Sequence, residues 1–307
     1  MFDSVGLPLS YLGEGQTPLV ERSVEGYKFF GKLESLNPSG SFKDRNAAML
    51  VSILSKRGIK TVVEDSSGNA GSALALYASA FGIASRIFVP AGTTGPKIEQ
   101  IRKCGADIVE VPGARQNARE AVQKAIQEGL GVYASHAELP FGMAAYATIA
   151  FEIFEQLGRM PGRVFCPIGH GSLFYGILLG FEALAARIGA VVRPAMVGVQ
   201  PERCAPLVAA WRGQEFNYQG QPSLAEGTVI SNPVRKTEIL EALIPEFDSL
   251  IDVTEQEIAD SQLSLSTNGI YVEPTSAMVY AALKKVEYKD NDFDVLVFTG
   301  NGLKSYH

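Results

Sequence analysis

Asn37-Pro38-Ser39-Gly40-Ser41-Phe42-Lys43-Asp44-Arg45 is the stretch around which the chain is organised. A Pro/Ser/Gly turn leads into a lysine at the head of an apolar, helix-like run from Ala47 to Ile53. Phe42 beside the lysine and the serines of the turn favour a partly dry setting for the amine. Removing water from an ammonium disfavours its charged form, which suits an amine that must attack an aldehyde. Taken alone, the segment also reads as an ordinary solvated lysine in a first helical turn, between Ser41 and Asp44. The rest of the chain has to decide between these.

At 307 residues the chain exceeds the usual single core, so two domains are expected. Its composition, 46% hydrophobic and 20% charged, is that of a globular protein with ample core material. Nucleic acids and anionic membranes call for clustered Lys and Arg, whereas this chain carries a net charge of −6, so neither is an expected partner. Residues 1–25 hold Asp3, Glu14, Glu21 and Arg22 with no apolar signal-peptide core. No apolar run reaches the roughly 18 residues that a membrane-crossing helix needs. Cys104, Cys166 and Cys204 are far apart, odd in number and without metal-type spacing. A soluble, cytoplasmic protein without disulfides or a metal site is expected.

Working outward, Gly26–Glu34 reads as a strand before the lysine loop, and residues 10–20 as a turn-rich, then extended arm. After the helix that opens near Phe42, Thr61–Glu64 is a short β-branched strand. It runs into Asp65-Ser66-Ser67-Gly68-Asn69-Ala70-Gly71 and then a helical pattern, Ser72–Phe81. Strand, small-residue turn and helix together present backbone N–H groups to an anion. The alternation continues with strands at 85–90, 106–111 and 132–135 and helices at 95–104, 114–128 and 143–157. A second unit of this kind is the strand Arg163–Ile168, the turn Gly169-His170-Gly171-Ser172-Leu173 and the helix Phe174–Ile188. Segment 212–235, rich in Gly, Gln, Pro and Asn, reads as a long surface loop. The chain closes on the apolar strand Phe293–Phe298 and the turn Thr299-Gly300-Asn301-Gly302. Such a βα rhythm predicts an α/β protein of two doubly wound domains, whose parallel sheets are covered by helices on both faces.

Each motif has a plainer reading when isolated. Gly169-x-Gly171 can be a tight connection, Ser67-Gly68-Asn69 a helix N-cap, and Thr299 a strand end. Neither the GxGxxG dinucleotide pattern nor the GK[ST] ending of a P-loop is present, so a nucleotide is not the expected ligand.

In order along the chain, Gly13–Leu19, Asn37–Arg45, Ser66–Gly71, Gly169–Leu173, Ala225–Gly227, Glu273–Ala277 and Thr299–Lys304 resemble the motifs of fold-type II pyridoxal-phosphate enzymes, the tryptophan synthase β-like superfamily. Within it the pattern is nearest to threonine synthase. The resemblance spans almost the whole chain and implies pyridoxal 5′-phosphate as cofactor, a homodimer, and roles for individual residues. Lys43 would hold the cofactor as a Schiff base and act as acid and base at the substrate Cα. Asn69 would bond the pyridoxal 3′-oxygen. Gly169, His170, Gly171, Ser172 and Leu173 would bind the phosphate through backbone N–H groups, where a helix N-terminus favours an anion. Thr299 would face the pyridine nitrogen, and Ser66, Ser67, Gly68 and Ala70 would line the substrate carboxylate site. The resemblance also implies a smaller mobile domain of about 45–145 and a larger, cofactor-anchoring domain of 1–44 with 146–307, the cofactor lying in the cleft.

The sequence departs from the family pattern twice. The phosphate turn reads Gly-His-Gly-Ser where relatives are richer in glycine, and His170 there is expected to point away rather than serve as a base. Threonine synthases also carry an Arg and a Lys just before the helix that ends in a Phe-Glu-Ile-like sequence, to hold a substrate phosphate; the matching stretch here, Leu139–Thr148, contains no positive charge. A buried phosphate needs charge-assisted donors, so an uncharged leaving group is expected instead of phosphohomoserine's phosphate. The activity expected is that of a PLP-dependent lyase, threonine synthase-like, eliminating or replacing a group at Cβ or Cγ of a small amino acid. The alternatives are a cysteine synthase-like β-replacement enzyme, a serine/threonine dehydratase, or a catalytically silent binding protein that keeps the fold.

Overall fold

The computed structural model describes residues 10–113, 115–287 and 293–305. Residues 1–9, part of the stretch read for a signal peptide, and Ala114, expected to open a helix, lie outside the described residues. In chain order come β1 (Leu19–Val24), β2 (Tyr27–Lys32), α1 (Lys43–Lys56), β3 (Thr61–Glu64), α2 (Asn69–Ala80), β4 (Ala84–Pro90) and α3 (Pro96–Lys103). There follow β5 (Asp107–Val111), α4 (Arg115–Gln127), β6 (Val132–Tyr133), α5 (Phe141–Leu157), β7 (Arg163–Pro167), α6 (Ser172–Ile188) and β8 (Ala195–Pro201). The remainder is α7 (Pro206–Trp211), α8 (Lys236–Ala242), β9 (Ser249–Val253), α9 (Glu255–Thr267), α10 (Pro274–Lys285) and β10 (Val295–Val297). No helix among the described residues is long and apolar enough to cross a membrane.

These elements form two compact units. The first comprises residues 1–14, 37–142 and 304–307; the second comprises 15–36 and 143–303. The sequence reading put residues 37–44 with the larger domain, whereas here they group with the smaller. Long-range bonds are the cause: the Ser39 carbonyl accepts from Gln100 and from Lys304, residues that no local pattern ties to the turn.

In the first unit a four-stranded parallel sheet runs β5-β4-β3-β6. Successive side chains of its strands point to opposite faces, and both faces are covered. Val62, Ile87 and Val89 pack against the α1–α3 side with Val51, Leu74 and Ile101. Val63 and Phe88 point the other way, onto Ala118, Val122 and Ala125 of α4.

In the second unit a six-stranded sheet runs β1-β2-β10-β7-β8-β9, parallel except for the β1–β2 hairpin. That hairpin turns at Glu25-Gly26, with φ of 51° and 85°, the paired positive φ that a tight two-residue turn needs. The edge strand exposes Glu21, Arg22 and Ser23, a polar edge unsuited to further pairing. Beneath the sheet α10 is almost wholly buried, and its Tyr280 hydroxyl donates to Val24 O at 2.9 Å. Helix α9 starts at a capping box: Thr254 Oγ1 accepts from Glu257 N while Glu257 Oε2 accepts from Thr254 N.

Candidate active site

Open parallel sheets bind ligands beyond the carboxyl ends of their strands, where the strand order reverses direction. In the first unit the chain steps from β3 out to β4 and β5, then returns to place β6 on the other side of β3. The reversal therefore lies between β3 and β6, and the Asp65–Gly71 loop leaves from β3 at that point. In the second unit β7, β8 and β9 step outward and β10 returns on the far side of β7. The Gly169–Leu173 turn follows β7 and Thr299 follows β10, so both sit at the carboxyl ends of two neighbouring strands. The residues given a role in the sequence reading, apart from Lys43 itself, thus follow strands at a reversal point.

Lys43 is the first residue of α1 and is half-buried, with its Nζ 4.7 Å from the centre of the Phe42 ring. This differs from the freely solvated lysine that the local sequence also allowed. The turn before it is a bonded structure: Gly40 N donates to Asn37 O at 2.7 Å, and Ser39 N donates to the Asp44 carboxylate at 2.5 Å. The Ser39 hydroxyl donates to the second oxygen of the same carboxylate. Asp44 is buried, and that burial pushes its carboxyl up to about 6 despite the two Ser39 bonds and the nearby Lys304 ammonium. Ser41 Oγ is buried and makes no hydrogen bond among the described residues.

On the β3 side, Asn69 and Ala70 form the first turn of α2, three residues earlier than the sequence pattern placed its start, and Gly68 is the extended N-cap. Ser66 and Ala70 are buried, while Ser67, Gly68 and Asn69 are half-buried. Gly71 is what lets the loop fold onto the helix, because a Cβ there would lie 1.9 Å from the Ser66 carbonyl oxygen. Two carboxylates precede the loop. Glu64 Oε1 lies 3.3 Å from His136 Nδ1, and Tyr133 donates to Asp65 at 2.7 Å. Burial, with Asp65 adding to it, holds the Glu64 carboxyl well above its ordinary range, while the Lys43 ammonium pulls the other way.

In the second unit Gly171 is the N-cap of α6 with φ +97°, a left-handed conformation that favours glycine. A Cβ on it would meet Ile239 Cδ1 at 2.5 Å and Arg235 Cβ at 2.9 Å. Ser172 and Leu173 lie in the first turn of α6, two residues earlier than the helix read from the sequence. Ser172 Oγ is buried and has no hydrogen-bond partner among the described residues. His170 is half-buried, and its carbonyl accepts from Arg235 N at 3.0 Å. Gly169 packs against the backbone of Gly227 and Thr228. Segment 212–235, read as a surface loop, therefore supplies buried structure: Ser223, Ala225 and Thr228 are all buried. Thr299 is 2% exposed, and its hydroxyl lies 3.0 Å from that of Ser276, which in turn accepts from Gly300 N at 2.9 Å. Ser276 was quoted within a motif but given no role; a serine at a helix start carries no sign of its partner 23 residues further on.

A family model described as pyridoxal-phosphate dependent enzyme matches residues 11–300. The chain belongs to that family. Threonine synthase of Methanocaldococcus jannaschii is 32% identical over 308 aligned positions, covering 95% of this chain and 76% of that protein. L-threonine ammonia-lyase of Thermotoga maritima is 31% identical, over 91% of this chain and 68% of its own length. Among solved structures, O-ureido-L-serine synthase superposes with a TM-score of 0.80 at 20% identity, covering 97% of this chain and 92% of the other. The expected fold, two doubly wound sheets of the tryptophan synthase β-like type, is borne out, and the protein is a pyridoxal-phosphate-dependent lyase of this family.

The residues present fit that cofactor. At the head of α6, a left-handed glycine opens the backbone and the buried Ser172 hydroxyl offers an unused donor, as a phosphate dianion requires. The hydroxyl pair Ser276–Thr299 offers the neighbouring strand end a neutral polar group.

Proposed function

We propose that the protein eliminates or replaces an uncharged group at Cβ or Cγ of a small amino acid. The observation that carries the reaction type is the Thr299 hydroxyl, buried and paired with a second hydroxyl. A neutral group facing the pyridine nitrogen does not enforce its protonation as a carboxylate would, and so favours elimination over transamination. Bound pyridoxal phosphate supplies the electron sink that makes the Cα proton labile. The Lys43 amine takes the proton from Cα and returns it. Asn69 bonds the 3′-oxygen, and Gly169, His170, Gly171, Ser172 and Leu173 hold the phosphate through backbone N–H groups and the Ser172 hydroxyl. Ser66, Ser67, Gly68 and Ala70 receive the substrate carboxylate at the start of α2, where backbone donors and the helix dipole favour an anion.

Charge sets the leaving group. No Lys or Arg occurs in Leu139–Thr148 or in the Asp65–Gly71 loop that receives the substrate. Thr148, one of the few polar side chains there, already donates to Ala145 O at 2.6 Å. A phosphate buried in such surroundings stays under-compensated by several kcal/mol. Acetyl or hydroxyl leaving groups are the natural fit, so cysteine synthase-like β-replacement and serine/threonine dehydration are both within this reading. The matched threonine synthases favour Cγ chemistry and the matched ammonia-lyase favours dehydration. A cytoplasmic homodimer, with the smaller unit mobile and the larger one anchoring the cofactor, completes the proposal. The test compares kcat/KM for phosphohomoserine, acetylserine, acetylhomoserine, serine and threonine on one preparation. Preferred turnover of phosphohomoserine would restore a plain threonine synthase activity and reject the uncharged leaving group.

A further inference from the structure

The Ser39 peptide is gripped at both ends by side chains that the proposed chemistry does not use. Its N–H donates to Asp44 Oδ2 at 2.5 Å, and its own hydroxyl donates to the other oxygen of that carboxylate. Its carbonyl accepts from Lys304 Nζ at 2.6 Å and from Gln100 Nε2 at 3.1 Å. Lys304 Nζ also donates to Gln100 Oε1 at 2.6 Å, which closes the three groups into a ring. Ser39, Asp44 and Lys304 are all buried, at 3%, 0% and 7% exposure. One cation and one anion thus bond the backbone of a single residue, and the anion belongs to the residue after Lys43. Charge-assisted bonds are the short, strong kind, and a buried set that is fully paired fixes geometry more firmly than any one bond. Lys43 stands at the head of α1, directly after this turn.

We propose that Lys304, acting with Gln100 and Asp44 on the Ser39 peptide, is a positioning residue that sets where the Lys43 amine stands. The proposal rests on the reading that Lys43 is the cofactor lysine. Lys304 touches neither cofactor nor substrate; it acts through the turn. A neutral donor would satisfy the Ser39 carbonyl without the cost of burying a charge. The charge is explained by the partner beyond the peptide, because the Lys304 ammonium also favours the ionised form of Asp44 on which both Ser39 donors depend.

The experiment uses the holoenzyme, first reduced with borohydride and mapped in the wild type, then compared with Lys304→Met, Lys304→Arg and Gln100→Leu. A label on Lys43 in the wild type secures the underlying reading; a label elsewhere defeats that reading and this inference with it. With Lys43 labelled, Lys304→Met is expected to keep cofactor binding and the KM for the amino acid within about twofold. Its kcat should fall roughly tenfold to a hundredfold, the scale of loss for a misplaced reacting group. The visible band of the bound cofactor should shift or broaden, and Lys304→Arg should recover much of both. Gln100→Leu, which leaves both charges in place, should show the same pattern to a smaller degree and carries the test by itself if Lys304→Met is unstable. If kcat and the visible band stay as in the wild type in the folded variants, or KM alone moves, Lys304 does not position Lys43.

Discussion

At Thr299, a buried hydroxyl meets the Ser276 hydroxyl at 3.0 Å. Thr299→Asp would put a carboxylate where the reading has a neutral group, raising the proton affinity of the pyridine nitrogen. The expected outcome is a new share of transamination or racemisation among the products; an unaltered product spectrum by chromatography would mean that the residue does not reach the ring. At Asp44 the sign of the pH effect follows from burial. Its carboxyl is pushed up to about 6, so the folded protein holds that proton more tightly than the unfolded chain does. The stabilisation from this proton is fully present below the ordinary carboxylate range near 4 and is lost as pH rises through about 6, by roughly 3 kcal/mol. Asp44→Asn should flatten that fall. Thermal midpoints of both proteins between pH 4 and 7 check it, and parallel curves would count against the assignment. Neither Asp44 nor Ser276 was singled out in the sequence, for one physical reason. An Asp next to a helical lysine and a Ser in a first turn are common surface residues, and only tertiary packing buries them.

The elements were legible where the chain repeats itself. Strand, turn and helix alternate from Thr61 onward, and parallel strands buried on both faces read as short apolar runs. Helix starts were read late at both key turns, because Asn69, Ala70 and Ser172 are small or polar first-turn residues whose helical state is set by the glycine N-caps before them. The β1 strand was missed. Its outward residues are polar, and only the two positive φ angles at Glu25 and Gly26 mark the hairpin. Segment 212–235 has no periodicity to read, yet its Ala225 and Thr228 are buried and its Gly227 carbonyl closes on Gly169. Gly171 offers a test at this scale. Gly171→Ala meets a left-handed backbone and two close contacts, whereas Gly189→Ala, at the far end of α6, meets a left-handed backbone with no atom within 4 Å. Both substitutions should lower the thermal midpoint, each backbone change costing about 1–2 kcal/mol. Only Gly171→Ala should weaken pyridoxal-phosphate binding, by about tenfold or more, as measured by fluorescence titration. Equal losses of affinity in both would show that the effect is general destabilisation.

For the whole molecule, composition and length pointed to two domains, and the contacts divide the chain into two units. The boundaries were less legible. The smaller unit draws in residues 37–44 and the segment from Lys304 through bonds that span 61 and 265 residues, and no sequence window contains both ends. The same limit applies to the site, whose pieces lie in separate stretches of the chain and become one proposal only through the family pattern and the reversal points of the two sheets. The lyase reading therefore depends most on one atom, the Lys43 amine. The direct measurement is borohydride reduction of the holoenzyme followed by proteolysis and mass mapping, alongside Lys43→Ala. The label should fall on Lys43 alone. Lys43→Ala should take up free pyridoxal phosphate through the Gly169–Leu173 turn but trap none of it covalently. A label on any other lysine, or covalent trapping that survives in Lys43→Ala, would contradict the assignment.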